Sequence, residues 1–198
     1  MSHRICWWPI AVFVTILVQA HTASGCGTTR PVPGVADHDG ILYDTPVYNE
    51  ASKRYFALVW ARNANDIYRG ATWATANADA RAHAYKGIHG RLAIVDALEI
   101  HQFLQHTFHP PCEAWIGLRY WCTPRTLEWS NGQAWKSGSF QAWDRNWRQD
   151  PFACRSGEKG NDFMPVAYSS APNGFRWIGK GKGKEYFAYF IEYPTGQP

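Results

Sequence analysis

The sequence predicts an α+β domain, and three observations carry that prediction. The first is a strand at Ala114-Trp115-Ile116-Gly117-Leu118, running on through Arg119, near the middle of the chain. Alternation puts Trp115 and Gly117 on one face and Ile116 and Leu118 on the other, so neither face offers water a polar row and the strand must be central. The second is a pair of helix patterns upstream of it. The third is the stretch from Ser137 to Ser170, mostly Gly, Asn, Asp, Ser, Pro and aromatic residues. A structureless loop of such length is uncommon in a compact domain and is usually functional. A chain of 198 residues has room for one domain with a genuine core and a tail.

The N-terminus reads as a targeting segment, residues 1–25: Arg4, an apolar run from Ile5 to Val18, then small and polar residues from Gln19. The run is shorter than the ~20 residues a spanning helix needs, and its flank is the small-residue type found at cleavage sites. Ala23-Ser24-Gly25-Cys26 resembles the bacterial lipobox, with Ala23 where leucine is usual. That resemblance implies an acylated Cys26 and an envelope lipoprotein, at the outer membrane or cell surface. Ordinary cleavage nearby leaves a secreted protein with Cys26 as a thiol or half of a disulfide. Both readings imply export.

Losing Cys6 with the leader leaves Cys26, Cys112, Cys122 and Cys154, an even set only if Cys26 is unmodified. Cys112 and Cys122 flank the central strand, which at ~3.3 Å per residue holds them roughly 20 Å or more apart, against about 4.4–6.8 Å between the Cα atoms of a disulfide. Cys122 with Cys154 is the expected pair.

Residues 26–54 are rich in Pro, Gly, Asp and Thr and read as a tether with one extended segment near Ile41 to Tyr48. Tyr55 to Trp60 is aromatic and β-branched enough for a strand. Thr72 is an N-cap for a helix whose Trp73, Ala76, Ala80 and Ala84 recur on one face, with Gly87 as its stop. Leu92 to Val95 is a short apolar segment. Asp96 with Glu99 resembles a capping box for a second helix, whose stripe is Ile100, Phe103, Leu104 and Phe108 and whose end is Pro110-Pro111. After the central strand, Leu127 to Trp129 and Ser130-Asn131-Gly132 suggest a hairpin. Gly174 to Ile178 and Tyr186 to Tyr193 read as closing strands around the turn Lys180-Gly181-Lys182-Gly183-Lys184.

The order of these residues resembles the C-type lectin-like domain. Thr72-Trp73 with Ala76 and Ala80, Gly90-Arg91-Leu92-Ala93-Ile94, Glu99, Phe103-Leu104, Trp115-Ile116-Gly117-Leu118, Trp129-Ser130-Asn131-Gly132, Trp143, Trp147, Trp177 and Ile191-Glu192-Tyr193-Pro194 follow that family's pattern across residues 55–194. The resemblance implies a double-looped α+β fold with two helices, small antiparallel sheets and a long irregular loop that carries the ligand site. It also exposes departures. Ala84 and Ile191 stand where many members place a disulfide. The family's calcium-bridged sugar site uses a Glu-Pro-Asn-like triplet, a following acid and an Asn-Asp pair after the late tryptophan. This chain has Asp150-Pro151-Phe152, Glu158 and Trp177-Ile178-Gly179. Calcium takes 6–8 oxygens, so losing those side chains predicts binding without calcium and no cofactor.

No residues support catalysis. His101, His106 and His109 lack metal-ligand spacing, and His101 and His106 fall off the helix stripe, so they read as solvated surface histidines. No Gly-x-Ser-x-Gly elbow occurs. The lysine turn lacks the Ser or Thr of a phosphate loop; it reads as a solvated hairpin tip with at most weak attraction for anionic groups. Twenty Lys and Arg against sixteen Asp and Glu leave a slight positive excess with no basic run long enough to track a phosphate backbone, so nucleic acid is not implied. The expected function is carbohydrate or glycoconjugate binding through Trp121, Trp135, Asp150, Pro151, Phe152, Glu158, Asn161 and Asp162. The alternative is a protein–protein interaction, in adhesion or envelope assembly, on the same loop.

Overall fold

The computed structural model describes residues 42–43, 45–61, 70–110, 112–148, 154 and 162–195. The leader, Cys26 and most of the tether lie outside them, as do Asp150, Pro151, Phe152, Glu158 and Asn161 of the predicted site. In chain order come β1 (Leu42–Tyr43), β2 (Val47–Asn49), β3 (Arg54–Trp60), β4 (Ala71–Thr72), α1 (Trp73–Ala82), β5 (Ala84–Tyr85), β6 (Ile88–His89), β7 (Arg91–Leu92) and α2 (Leu98–Phe108). Then follow β8 (Ala114–Trp121), β9 (Thr126–Trp129), β10 (Trp143–Arg148), β11 (Phe163–Tyr168), a single 3-10 turn at Ala171–Asn173, β12 (Trp177–Gly179), β13 (Glu185–Tyr186) and β14 (Ala188–Pro194).

The main sheet runs β1-β3-β14-β8-β11-β12-β10, with β2 on β3, β7 on β14 and β9 on β8. As its two apolar faces require, β8 is central. Its even residues Ala114, Ile116 and Leu118 enter one core with Phe56, Leu58, Phe190, Val166 and Tyr168, covered by Ile100, Leu104 and Phe108 of α2. Its Trp115 enters a second core with Ala57, Val59, Tyr189, Ile191 and Ala167, covered by Trp73, Ala76 and Ala80 of α1. The period-2 alternation thus places one helix on each face of the sheet.

Two indoles lock α1 to β8. Trp73 Nε1 donates to the Ile116 carbonyl at 2.8 Å, and Trp115 Nε1 to the Ala71 carbonyl at 2.7 Å. Each ring thereby buries its apolar body and satisfies its one donor. Gly117 is required where the chain crosses the loops before and after. A Cβ there would stand 2.5 Å from the Leu92 carbonyl and 2.6 Å from Ser130 Oγ. The Gly117 N–H donates to Ala93 O at 2.8 Å, and Ser130 Oγ donates to Leu92 O at 2.9 Å.

Several expectations change. Thr72 caps α1 by accepting from the Thr75 N–H, but the helix ends at Ala82. Ala84 is exposed in a β5–β6 hairpin, because Lys86 and Gly87 take the positive φ values of 50° and 78° that a tight turn needs. Where the resemblance would place a disulfide, Ile191 packs in the α1-side core and the neighbouring Tyr189 hydroxyl donates to the Asp79 carboxylate of α1. The α2 capping box does not form. Ala97 is the N-cap without a side-chain bond, and Asp96 turns instead toward Arg54 at 3.5 Å. His101 is not a solvated histidine: it is 9% exposed and bonds the Tyr168 hydroxyl through Nδ1 at 2.8 Å. Phe140, Tyr168 and Phe175 surround its ring, and burial first, then Arg176 and His106, lower it to about 4.

The 137–170 stretch is not structureless, since it supplies β10 and β11. The closing strands do not pair around the lysine turn: β12 pairs β11 and β10, β13 pairs β4, and β14 pairs β3, β7 and β8.

Candidate functional site

The candidate site lies where β8, β9 and β11 end together. Register places Phe163 opposite Trp121, Thr126 opposite Trp121 on the other side, and Glu128 opposite Arg119. Directly opposed residues share a face, so Arg119, Trp121, Glu128 and Phe163 gather on the α1 side of the sheet. The Trp121 and Phe163 rings meet edge-on at 5.6 Å, and Phe163 meets Trp73 at 5.5 Å. The Arg119 guanidinium lies 4.4 Å from the Trp121 ring centre and 5.5 Å from that of Trp73. At such distances the cation is attracted to the ring faces.

Glu128 holds this shelf together. Its Oε1 accepts from Arg119 at 2.5 Å and its Oε2 from Trp121 Nε1 at 3.1 Å, so one carboxylate fixes both the cation and the indole. Trp121 remains partly exposed. The result is an amphipathic ring held in one orientation beside a neutralised ion pair, a surface suited to stacking on an apolar face that carries hydrogen-bonding groups at its edge.

The long loop returns beside the shelf. Cys122 and Cys154 are joined by a disulfide with Cα atoms 5.2 Å apart, and the Cys122 N–H donates to the Asp162 carbonyl at 3.0 Å. The Asp162 side chain is 8% exposed and lies 3.7 Å from Lys182 Nζ. The lysine turn therefore contacts the exit of the loop. Cys112 is buried and is disulfide-bonded as well.

Trp121 and Asp162 are thus brought together, whereas Trp135 is not. Its ring packs against the α2-side core, with its N–H donating to Leu127 O at 2.9 Å and its indole to Phe140 O at 3.4 Å. Leu127 opposes Tyr120, on the sheet face away from Trp121. Arg119, Glu128 and Phe163 were missed by the sequence reading. The signal that would have found Glu128 is the hairpin register, since a turn at 122–125 pairs it with Arg119.

The positions at which the resemblance would place late calcium ligands hold core residues. Ile178 is 1% exposed in the α1-side core. A Cβ on Gly179 would stand 2.7 Å from Met164 Cε and 3.3 Å from Trp147 O, because β10 runs alongside in parallel. Neither position carries a side-chain oxygen, and Gly179 has no room for a side chain. Among the described residues, no three His, Cys, Asp or Glu side chains converge as a metal site.

This architecture is the C-type lectin-like fold. Among solved structures the chain is similar to the C-type carbohydrate-recognition domain of cow CD23, described in the presence of a GlcNAc2Man3 oligosaccharide, at 16% identity over 77% of this chain and 100% of that one, with a TM-score of 0.51. It is similar also to the Kupffer cell C-type lectin receptor Clec4f, at 19% identity over 78% of this chain and 85% of that one, with a TM-score of 0.50. No family model matches the chain, and no curated protein matches it in sequence. Likeness at such identities carries the fold and leaves the ligand to the chain's own residues.

Proposed function

We propose that this domain is an exported, non-catalytic binding module that takes carbohydrate or glycoconjugate ligands without calcium. The observation that carries the reading is the shelf, where Glu128 fixes the partly exposed Trp121 ring and Arg119 side by side. Sugar rings present an apolar face rimmed by hydroxyls, which an oriented indole and a flanking carboxylate can meet together. The burial of Ile178 and Gly179 supports calcium independence, because a site built around the late strand has no oxygens to offer. Asp150, Pro151, Phe152, Glu158 and Asn161 belong to the proposed ligand surface by their place in the sequence, next to Cys154 and Asp162.

A glycan array probed with and without chelator tests the proposal. Sugar-competable retention on a subset of glycans, equal in both conditions, is the expected result. No retention, together with a stable protein partner in a pull-down, would move the function to protein–protein interaction on the same surface. Export belongs to the same proposal and rests on residues 1–26, with Cys26 either acylated as an anchor or unmodified in a secreted chain; the disulfide at Cys112, beside Cys122–Cys154, favours the unmodified form.

A further inference from the structure

A second polar cavity, of about 290 Å³, opens between the start of β3, the segment after β7, the turn after β9 and the end of β14. It shares no lining residue with the Trp121 shelf. Beneath it lies Glu192, fully buried, whose carboxylate accepts from Arg91 Nε at 2.6 Å, from Arg54 at 3.2 Å and from the Ile94 N–H at 3.1 Å.

The two arginines are used differently. Arg54 spends its guanidinium on Glu192, Asp96 and the Ile94 carbonyl. Among the described residues Arg91 bonds through its Nε–H alone, to Glu192. A guanidinium carries five N–H donors, so its two terminal nitrogens keep their donors for the cavity it lines. Its side chain is 26% exposed. A buried carboxylate thus fixes the plane of an accessible fork, the geometry that matches a carboxylate through two parallel bonds. Fixing it beforehand removes most of the ordering cost that a free surface arginine would meet on binding.

The rim supplies complementary groups. Asn131 also lines the cavity; its Oδ1 accepts from the Gln133 N–H at 3.0 Å, which leaves its amide nitrogen as the group with donors to offer. Gln133 is exposed and offers both a donor and an acceptor. Charge sets the valence of the ligand. Arg54 and Arg91 are balanced by Glu192 and Asp96, and Lys53 on the rim by Glu50, so the cavity favours one negative charge over two. Its volume sits at the lower edge of small-molecule sites.

From the Arg91 fork, the amide rim and the near-neutral charge we infer that this cavity binds a small carboxylate-bearing, hydroxyl-rich molecule, with a uronic acid as the fitting class. The inference does not depend on the Trp121 shelf. It is tested on the mature full chain by following the Arg91 Nε–H and the Asn131 and Gln133 side-chain amide resonances during titration with glucuronate, glucose and inorganic phosphate at constant ionic strength. Saturable shifts of these resonances by glucuronate, with glucose and phosphate each at least about tenfold weaker, are expected. Gln133→Ala, which leaves the buried ion cluster intact, should weaken glucuronate about threefold, and Arg91→Lys, which keeps the charge and loses the fork, about tenfold. Equal affinity for glucose would show that the carboxylate plays no part, and tighter phosphate binding would make this a dianion site. Either result overturns the inference, as does the absence of a saturable glucuronate shift in the unsubstituted protein. Unchanged binding in Gln133→Ala also overturns it, whether or not Arg91→Lys folds.

Discussion

Trp121 Nε1 donates to Glu128 Oε2 at 3.1 Å across two neighbouring strands, while the other oxygen of the same carboxylate holds Arg119. The partly exposed Trp121 ring is therefore positioned by a residue that need not touch a ligand itself. Glu128→Ala should leave the fold nearly unchanged, at a cost of about 1 kcal/mol or less, because both partners of the ion pair are part-exposed. It should also weaken glycan binding about tenfold by freeing the indole and the guanidinium. A thermal melt paired with calorimetry separates the two effects, and equal binding by the variant would remove Glu128 from the site.

Arg54 tests the buried ion cluster. Burial pushes the Glu192 carboxyl above the usual carboxylate range, and Arg54, Arg91 and the Ile94 N–H pull it back toward ionisation. Removing one partner of such a group leaves a buried charge undercompensated, at about 3–5 kcal/mol. Arg54→Ala should lower the urea midpoint by an amount equivalent to about 3 kcal/mol. A loss under about 1 kcal/mol would mean that the cluster is solvated in the native protein.

His101 makes stability depend on pH. Its value of about 4 in the folded protein lies below the ordinary 6.5, so between these values the unfolded chain binds more protons than the native one. Stability should rise with pH through that window, and the contribution is lost as pH falls from about 6.5 toward 4. At about 1.4 kcal/mol per unit the loss amounts to roughly 3 kcal/mol at most. Urea unfolding at a series of pH values measures it, and His101→Phe should flatten the slope between pH 4 and 6.5. An unchanged slope in that variant would assign the pH dependence elsewhere.

The N-terminus of the mature protein is expected at Cys26. An acylated sulfur there cannot also form a disulfide, and Cys112 is disulfide-bonded. Intact mass and non-reducing peptide mapping of the native protein therefore decide together. A diacylglyceryl cysteine supports the anchor, whereas a peptide joining Cys26 to Cys112 contradicts it and leaves a soluble exported protein.

Much of the fold was legible where the determining contacts are local or periodic. Trp115-Ile116-Gly117-Leu118 announces a strand buried on both faces, and Thr72 announces its helix through a bond spanning three residues. Long-range partners hid the rest. The strand Phe163–Tyr168 contains Pro165 at a register shift, so its local pattern reads as broken, and β8 and β12 on its two sides keep it extended. His101 looked solvated because the rings that bury it come from Phe140, Tyr168 and Phe175, distant in sequence. Asp96 has the residue type of a cap, yet Arg54, far away along the chain, has the stronger claim on its charge. In the site, Trp121 was legible as an aromatic without a core position. Glu128 was not, because its role depends on which residue faces it across the hairpin.

Calorimetry of a retained glycan against the unsubstituted protein and Trp121→Ala, each with and without chelator, tests the calcium-independent shelf most directly. The expected result is binding unchanged by chelator and weakened about thirtyfold by Trp121→Ala, the loss of about 2 kcal/mol that truncating a central aromatic contact brings. Binding abolished by chelator and untouched by Trp121→Ala would contradict it and place the ligand on a calcium site elsewhere in the domain.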